Sequence, residues 1–336
     1  MSELPLSDSP GGENRGVTHV DVDAERAGQR IDNFLISQLK GLPKSRVYRW
    51  LRRGEVRVNK GRVKADYKLC AGDQVRIPPV RLAAQSAPVV AGPRLRDLVE
   101  HAILYEDERM LALNKPAGIA VHGGSGVDLG VIEVLRQHFS APQWELVHRL
   151  DRDTSGCLLV AKNRAALRQL QHQFRQQQTR KNYLTLVHGY WPTRCHTVNL
   201  PLKKNQLAGG ERIVKVDPEG KAATTQFSIH QRYRDCTLLE VGLVTGRTHQ
   251  IRVHTQAQGH PILGDDKYGD AASQALAKRL GLKRLFLHAQ QLHFYLPISG
   301  GERGERMTLD APLPDDLNTV LQSLTVDEDD KAERED

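Results

Sequence analysis

Hydrophobic and polar positions divide the chain into blocks of different period. Between residues 17 and 81 the spacing is first helical: Val47, Trp50 and Leu51 share one face of a helix over Arg46 to Arg53, while Arg46, Arg49 and Arg53 line another. Ser45 is the predicted N-cap of that helix and Gly54 its stop. Glu55-Val56-Arg57-Val58-Asn59 then alternates as a strand that Lys60-Gly61 turns, and Gln74 to Pro78 gives another strand after a turn at Gly72-Asp73. Residues 1–16 carry no period and are expected to be disordered, and the Pro, Ala and Gly that follow the second strand place an interdomain linker at 82–97.

A second block, 98–325, is longer and mixed. Met110 to Leu113 reads as a strand ending at Asn114-Lys115-Pro116, and Arg164 to Gln178 as a helix with Leu167, Leu170 and Phe174 inward. Tyr183 to Val187 alternates as a strand with Tyr183, Thr185 and Val187 on one face. Thr237 to Val241 is another strand, and Thr245-Gly246-Arg247-Thr248 is a turn able to cap a helix at His249, with Arg252 on the same helix face as His249. Leu285 to Ala289 and the apolar residues of Leu292 to Ile298 complete the block. Strands and helices intersperse without a regular β-α repeat, which excludes a doubly wound sheet and predicts an α+β domain with a largely antiparallel sheet.

The pattern breaks most sharply at Glu145 to Ala161. Leu146-Val147 leads in and Cys157 to Ala161 is an apolar run of strand length, but the nine residues His148 to Gly156 between them are polar. Arg149, Asp151, Arg152 and Asp153 crowd two carboxylates and two guanidinium groups into five residues, and Gly156 can supply a turn. Neighbouring cations favour an ionised carboxylate, so Asp151 is a candidate nucleophile or base. A solvated, salt-bridged loop is the competing reading of those nine residues alone.

Charge changes the picture in the first block. The net charge is +8, the last ten residues carry seven acidic against two basic side chains, and the rest of the chain therefore holds +13. Lys40 to Lys68 contains eleven basic and two acidic residues, so Arg46, Arg49, Arg53, Arg57, Lys60 and Arg62 are candidate contacts to a polyanion. Four scattered cysteines without a C-x-x-C pair suggest reduced packing residues. No apolar run approaches a membrane span and no secretory core is present, so a cytoplasmic protein without a membrane partner is expected. His122 to Gly126 superficially suggests a phosphate cradle but lacks the Gly-Lys-Ser/Thr that would complete it. His249 and His254, five apart with no third ligand, make a poor metal pair, so no cofactor or metal is expected.

HRLDRDTSG at His148 to Gly156, NKPAG at Asn114 to Gly118, Lys181-Asn182-Tyr183, and GRTHQIRVH at Gly246 to His254 together resemble the motifs of the RluA-type pseudouridine synthases. The helix, basic hairpin and glycine pattern of residues 17–81 resembles the S4 RNA-binding domain. The resemblance implies a pseudouridine synthase fold with its cleft across a central mixed sheet. It also implies an isomerase that cleaves a glycosidic bond, turns the base and joins C5 to C1′. Asp151 would be the catalytic aspartate, Arg252 its salt-bridge partner, Tyr183 the residue stacked on uracil, and Arg149 the side chain filling the gap left by a flipped nucleotide. Attack by Asp151 at C1′ or uracil C6 and proton abstraction from C2′ both remain open. The resemblance implies uridines of 23S ribosomal RNA as substrate, with no obligate protein partner. Two other readings compete: an RNA binder without catalysis, and a glycosidase using Asp151 with Asp153, whose two-residue spacing is short for straddling a sugar.

Overall fold

The computed structural model describes residues 14–24, 26–39, 41–81, 89–124, 129–206, 212–299 and 303–326. Of the N-terminal segment expected to be disordered, residues 1–13 lie outside these residues, as do the acidic tail from 327 and the expected linker positions 82–88. The chain divides into two units, Met1–Val89 and Val90–Asp336. Among the described residues no helix is long and apolar enough to cross a membrane.

The first unit contains β1 (Asn14–Arg15), β2 (Thr18–Asp21), α1 (Ile31–Gln38), α2 (Lys44–Arg53), β3 (Arg57–Val58), β4 (Gly61–Arg62), β5 (Gln74–Ile77) and β6 (Val80–Arg81). A helix of ten residues is too short to persist alone, so packing holds α2. Its buried Val47, Trp50 and Leu51 meet Phe34 and Leu35 of α1 over a sheet of order β2-β5-β3-β4. Each such side chain contributes about 1.5–3 kcal/mol of burial.

Three expectations shift here. The N-cap position is Pro43, whose fixed φ of −56° opens the first turn, and Ser45 sits inside the helix. Gly54 stops it as expected, in the left-handed region at φ 68°. The hairpin turns on Asn59-Lys60, both with positive φ, because the Asn59 side chain holds Asp73 and the Gln74 backbone in place, and Gly61 belongs to β4. Asn14–Arg15, expected to be disordered with the rest of the N-terminus, pairs with Val80–Arg81 as a short antiparallel ribbon.

The second unit opens with α3 (Pro93–Glu100), a helix that begins within the span expected to be linker, 82–97, and runs past its end, with Pro93 at its first position. There follow β7 (Ile103–Glu106), β8 (Met110–Lys115), α4 (Val131–His138), β9 (Glu145–Leu146), β10 (Ser155–Ala161), α5 (Arg164–Arg175), β11 (Arg180–His188), β12 (Thr197–Asn199), β13 (Leu202–Gln206) and β14 (Arg212–Val216). The chain ends through β15 (Thr224–Tyr233), β16 (Cys236–Leu243), α6 (Gln250–Ala257), α7 (Ala271–Arg279), β17 (Leu287–Pro297), β18 (Arg303–Asp310) and α8 (Asp315–Gln322). The central sheet runs β12-β15-β16-β11-β17-β10-β8-β7, with β18 beside β17 and β9 beside β10. Among the described residues only the β10–β17 pairing is parallel, which gives the mixed, largely antiparallel α+β architecture. Leu158 and Val160 of β10 pack on one side with α4, while Cys157 and Leu159 pack on the other with Leu167 and Leu170 of α5.

That parallel contact explains Gly156, which lies within β10 rather than in a turn before it. Its φ is 114°, and an added Cβ would stand 2.2 Å from the Ala289 carbonyl oxygen of β17. Where β17 faces β11 the register slips, Asn182 opposing Gln291 but Leu184 opposing His288, so β17 carries an extra residue opposite Tyr183. The close approach and the bulge meet at Ala289.

Candidate active site

A cleft of about 500 Å³ in the second unit is lined by the loop His148 to Arg152, by Lys181 and Tyr183 of β11, and by Gly246 to Arg252 at the start of α6. The structure thus brings Asp151, Arg149, Tyr183 and Arg252 to one cavity. Arg149 is exposed, whereas Asp151 keeps about a third of its side chain open (31%). Asp153 is absent from the lining and pairs with its neighbour Arg152 at 3.1 Å, consistent with a local role.

The loop carrying Asp151 is pinned at both ends. The His148 ring stacks on Phe174 at 4.7 Å and accepts the Leu159 N–H at 3.1 Å. Burial, with Lys181 adding, pulls this imidazole down to about 3, so it is a neutral packing group. Downstream, the wholly buried Lys115 donates to the carbonyls of Pro116, Ile119 and Arg152 at 2.7, 2.9 and 3.0 Å. Burial pulls its ammonium down to about 7 against the charges of Asp153 and Asp151, while three carbonyl acceptors match its three N–H groups and favour the charged form. Lys115 is therefore a tie between the Asn114-to-Gly118 turn and the loop that carries Asp151. Ser155, one step further, bonds His288 at 2.9 Å and accepts from Arg284 at 2.7 Å.

Tyr183 is half-buried between the two largest apolar clusters. Burial, followed by the charge of Asp151, pushes its hydroxyl well above the usual phenol range, so it stays protonated.

The expected ion pair between Arg252 and Asp151 is not formed. The Arg252 guanidinium instead forks onto Asp265, Nε to Oδ2 at 2.7 Å and Nη2 to Oδ1 at 2.6 Å, and lies over the Tyr268 ring at 5.0 Å. The reason is burial: the Asp265 carboxylate has no exposed surface and requires a charged partner, which also orders the Lys267 and Tyr268 N–H groups around it. Burial lowers the Arg252 pKa, but the bonds and charge of Asp265, with Asp151 adding through space, outweigh it and the pKa is raised. The His249 ring faces Asp151 instead, its Nε2 3.9 Å from Oδ2.

Helix α6 begins one residue later than expected. His249 is its N-cap in the left-handed conformation, φ 53°, and makes no capping bond. The buried Gln250 fixes the turn before α6: its Oε1 accepts from Thr245 Oγ1 and the Arg247 N–H, and its Nε2 donates to Thr224 O and Thr225 Oγ1, so all four of its hydrogen-bonding positions are used. His254 is buried between Thr225 and the Leu200 carbonyl, an internal bond rather than a ligand position. At the suspected phosphate cradle, Glu133 accepts the N–H groups of Gly123 and Gly130, so an anion is already supplied by the chain. Its Ser125-Gly126 end lies outside the described residues.

In the first unit, register places Arg62, Arg57 and Arg76 directly opposite one another across β4, β3 and β5, with His19 of β2 next in the row. Like charges opposed across strands destabilise a sheet, and an anion over that face relieves the repulsion. Arg57 and Arg62 are exposed, as are Arg49, Arg53 and Lys60. Arg46 is not wholly available: its guanidinium lies over Trp50 at 5.3 Å.

The family model described as RNA pseudouridylate synthase matches residues 109–257, and that of the S4 domain matches residues 29–75. A ribosomal large subunit pseudouridine synthase C from Pasteurella multocida (strain Pm70) is 53% identical over 313 residues, covering 93% of this chain and 95% of the relative. The protein of the same name from Escherichia coli (strain K12) is 54% identical over 317 residues, covering 93% and 98%. Among solved structures, human RNA pseudouridylate synthase domain containing 4 superposes with a TM-score of 0.55 at 28% identity, covering 68% of this chain and 95% of that one. The chain belongs to the RNA pseudouridine synthase family and is an isomerase with an N-terminal S4 domain.

Proposed function

We propose that the chain converts uridines of 23S ribosomal RNA to pseudouridine in the cytoplasm; the names of its relatives, which specify the ribosomal large subunit, support the substrate class. The reaction breaks the C1′–N1 bond, rotates the uracil, forms C1′–C5 and moves the C5 proton to solvent while N1 gains one, with no redox change. Asp151 supplies the anion at the sugar or base. Tyr183, protonated and set in an apolar wall, stacks on the uracil. Arg149, exposed at the same cleft, fills the space of the everted nucleotide, offsetting the few kcal/mol of unstacking. Arg252, held by Asp265, lends positive potential to the far wall. The S4 unit grips phosphate through Arg49, Arg53, Arg57, Lys60, Arg62 and Arg76 without reading sequence.

The observation that carries this reading is the convergence of Asp151, Tyr183 and Arg252, from three separate parts of the chain, on one cleft. An RNA binder without chemistry has no use for such a cluster. Tritium release from 23S ribosomal RNA labelled with 5-³H-uridine tests it. The wild-type chain releases tritium, and Asp151→Asn binds the RNA as well but releases none. Turnover by Asp151→Asn overturns the assignment.

A further inference from the structure

His249 carries a conformation that costs energy. A side chain at φ 53° is disfavoured relative to the right-handed region, and such strain persists where surrounding contacts over-determine it. Here they do. Gln250 fixes the preceding turn through four bonds, Arg252 is clamped to Asp265, and His249 spends no atom on capping α6. Its ring is free to be used otherwise.

Two contacts use it. Nδ1 lies 2.7 Å from the Tyr268 hydroxyl, and Nε2 lies 3.9 Å from Asp151 Oδ2. The Tyr268 oxygen already accepts the Val214 N–H at 3.0 Å, so its own proton needs an acceptor, and among the described residues His249 Nδ1 is the one within reach. Burial is the leading influence on that phenol and its pKa is raised, which keeps it a donor. Nδ1 is therefore an acceptor, and the imidazole proton resides on Nε2, the atom facing the carboxylate. Burial, helped by Arg252 and Lys267, keeps the ring neutral against the pull of Asp151 and Asp265.

We infer that His249 is a positioning residue for Asp151: a neutral imidazole, set by Tyr268 into one tautomer, that holds an N–H toward the carboxylate. This rests on the isomerase reading above. A gap of 3.9 Å exceeds a hydrogen bond, and contacts of this kind commonly tighten only when substrate enters. The same hydroxyl joins the hairpin β13–β14 to the site, since Val214 lies on β14 and Lys204 of β13 lines the cleft. A carboxylate so oriented stays aimed at the reacting ribose or base.

The test is single-turnover tritium release from 5-³H-uridine-labelled 23S ribosomal RNA by the full chain, alongside filter-binding affinity for the same RNA. His249→Phe keeps the bulk without a donor, and His249→Asn suits the left-handed backbone but is too short to reach. Both should lower the rate on the order of 100-fold with affinity unchanged. His249→Gln, which carries an N–H at similar reach, should restore most of the rate, and Tyr268→Phe should lower the rate at unchanged affinity. A wild-type rate in His249→Phe or Tyr268→Phe, a Gln variant as slow as Phe, or a loss of affinity that accounts for the loss of rate each overturns the inference. If the wild-type chain releases no tritium, the isomerase reading itself has failed, an outcome distinct from any of these.

Discussion

Arg252 and Asp265 share a forked ion pair inside the protein, at 2.7 and 2.6 Å, next to the cleft that holds Asp151. An arginine that served only to pair with Asp151 would be removable with the fold intact, but the buried partner changes that outcome. Truncating the arginine strands a carboxylate without water, a loss of about 3–5 kcal/mol. Urea unfolding should show Arg252→Ala destabilised by that amount as well as inactive. The double variant Arg252→Met, Asp265→Leu should regain part of that stability while remaining inactive, the rest staying lost with the acceptor of the Lys267 and Tyr268 N–H groups. A stable Arg252→Ala would mean that Asp265 finds another cation.

Gly156→Ala should be among the most damaging single substitutions away from the cleft lining. Its φ of 114° disfavours any side chain, and the new methyl would meet the Ala289 carbonyl at 2.2 Å. Because β10 and β17 are both central strands, neither can retreat cheaply, and a loss above about 3 kcal/mol is expected. Gly118→Ala is the control: its φ is 83°, but nothing lies within 4 Å of the added carbon, so it should cost only about 1–2 kcal/mol. Equal losses in urea unfolding would make the dihedral, not the approach of β17, responsible.

What is legible in the sequence is local. The apolar run Cys157 to Ala161, the stripe of α5, the alternation around Tyr183 and the stop at Gly54 follow from periods of two and 3.6 and from glycine's freedom, and the structure has all four. What stays concealed depends on groups far apart in the chain. Asp265 is one carboxylate in the run Asp265-Asp266-Lys267, and nothing local says that it is the one buried against Arg252. Lys115 looks like any strand-end lysine until the fold wraps three carbonyls around it. Gln250 has no periodic signature, and α3 is masked by the Pro and Gly that flag a linker, although Pro93 is also a good first residue of a helix. Arg76 reads only as part of a strand, because its alignment with Arg57 and Arg62 exists only in the register.

That register gives a prediction for RNA binding. Removing one cation that touches phosphate should reduce the dependence of log affinity on log salt by roughly 0.7–0.9, with little change in preference among RNA sequences. Arg57→Gln, Arg62→Gln and Arg76→Gln should each flatten the slope by about one phosphate. They should also leave the sheet slightly more stable, because opposed cations are removed. Arg46→Gln should act mainly on stability, through its packing over Trp50. An unchanged salt slope in all three ladder variants would place the RNA on another face.

Acid should weaken the protein through His288 before its carboxylates titrate. The ring is wholly buried, with Nε2 at 3.0 Å from the Ala311 carbonyl and Nδ1 at 2.9 Å from Ser155, so it is neutral with its proton on Nε2. Burial is the main reason its pKa falls from 6.5 to about 4. Between those values the unfolded chain takes up a proton that the folded chain refuses. Stability from this residue is therefore complete above pH 6.5 and declines as pH falls toward 4, by up to about 1.4 kcal/mol per pH unit. His148, lowered to about 3, acts in the same direction. Unfolding free energies measured from about pH 7 to 5 should fall in the wild type, with His249, His254 and His293, also held below the usual imidazole range by burial, adding to the slope. In His288→Gln, whose side chain can bond both Ser155 and Ala311 without titrating, the slope should drop by about one proton. An identical slope in that variant would mean that the His288 ring is already protonated in the folded chain.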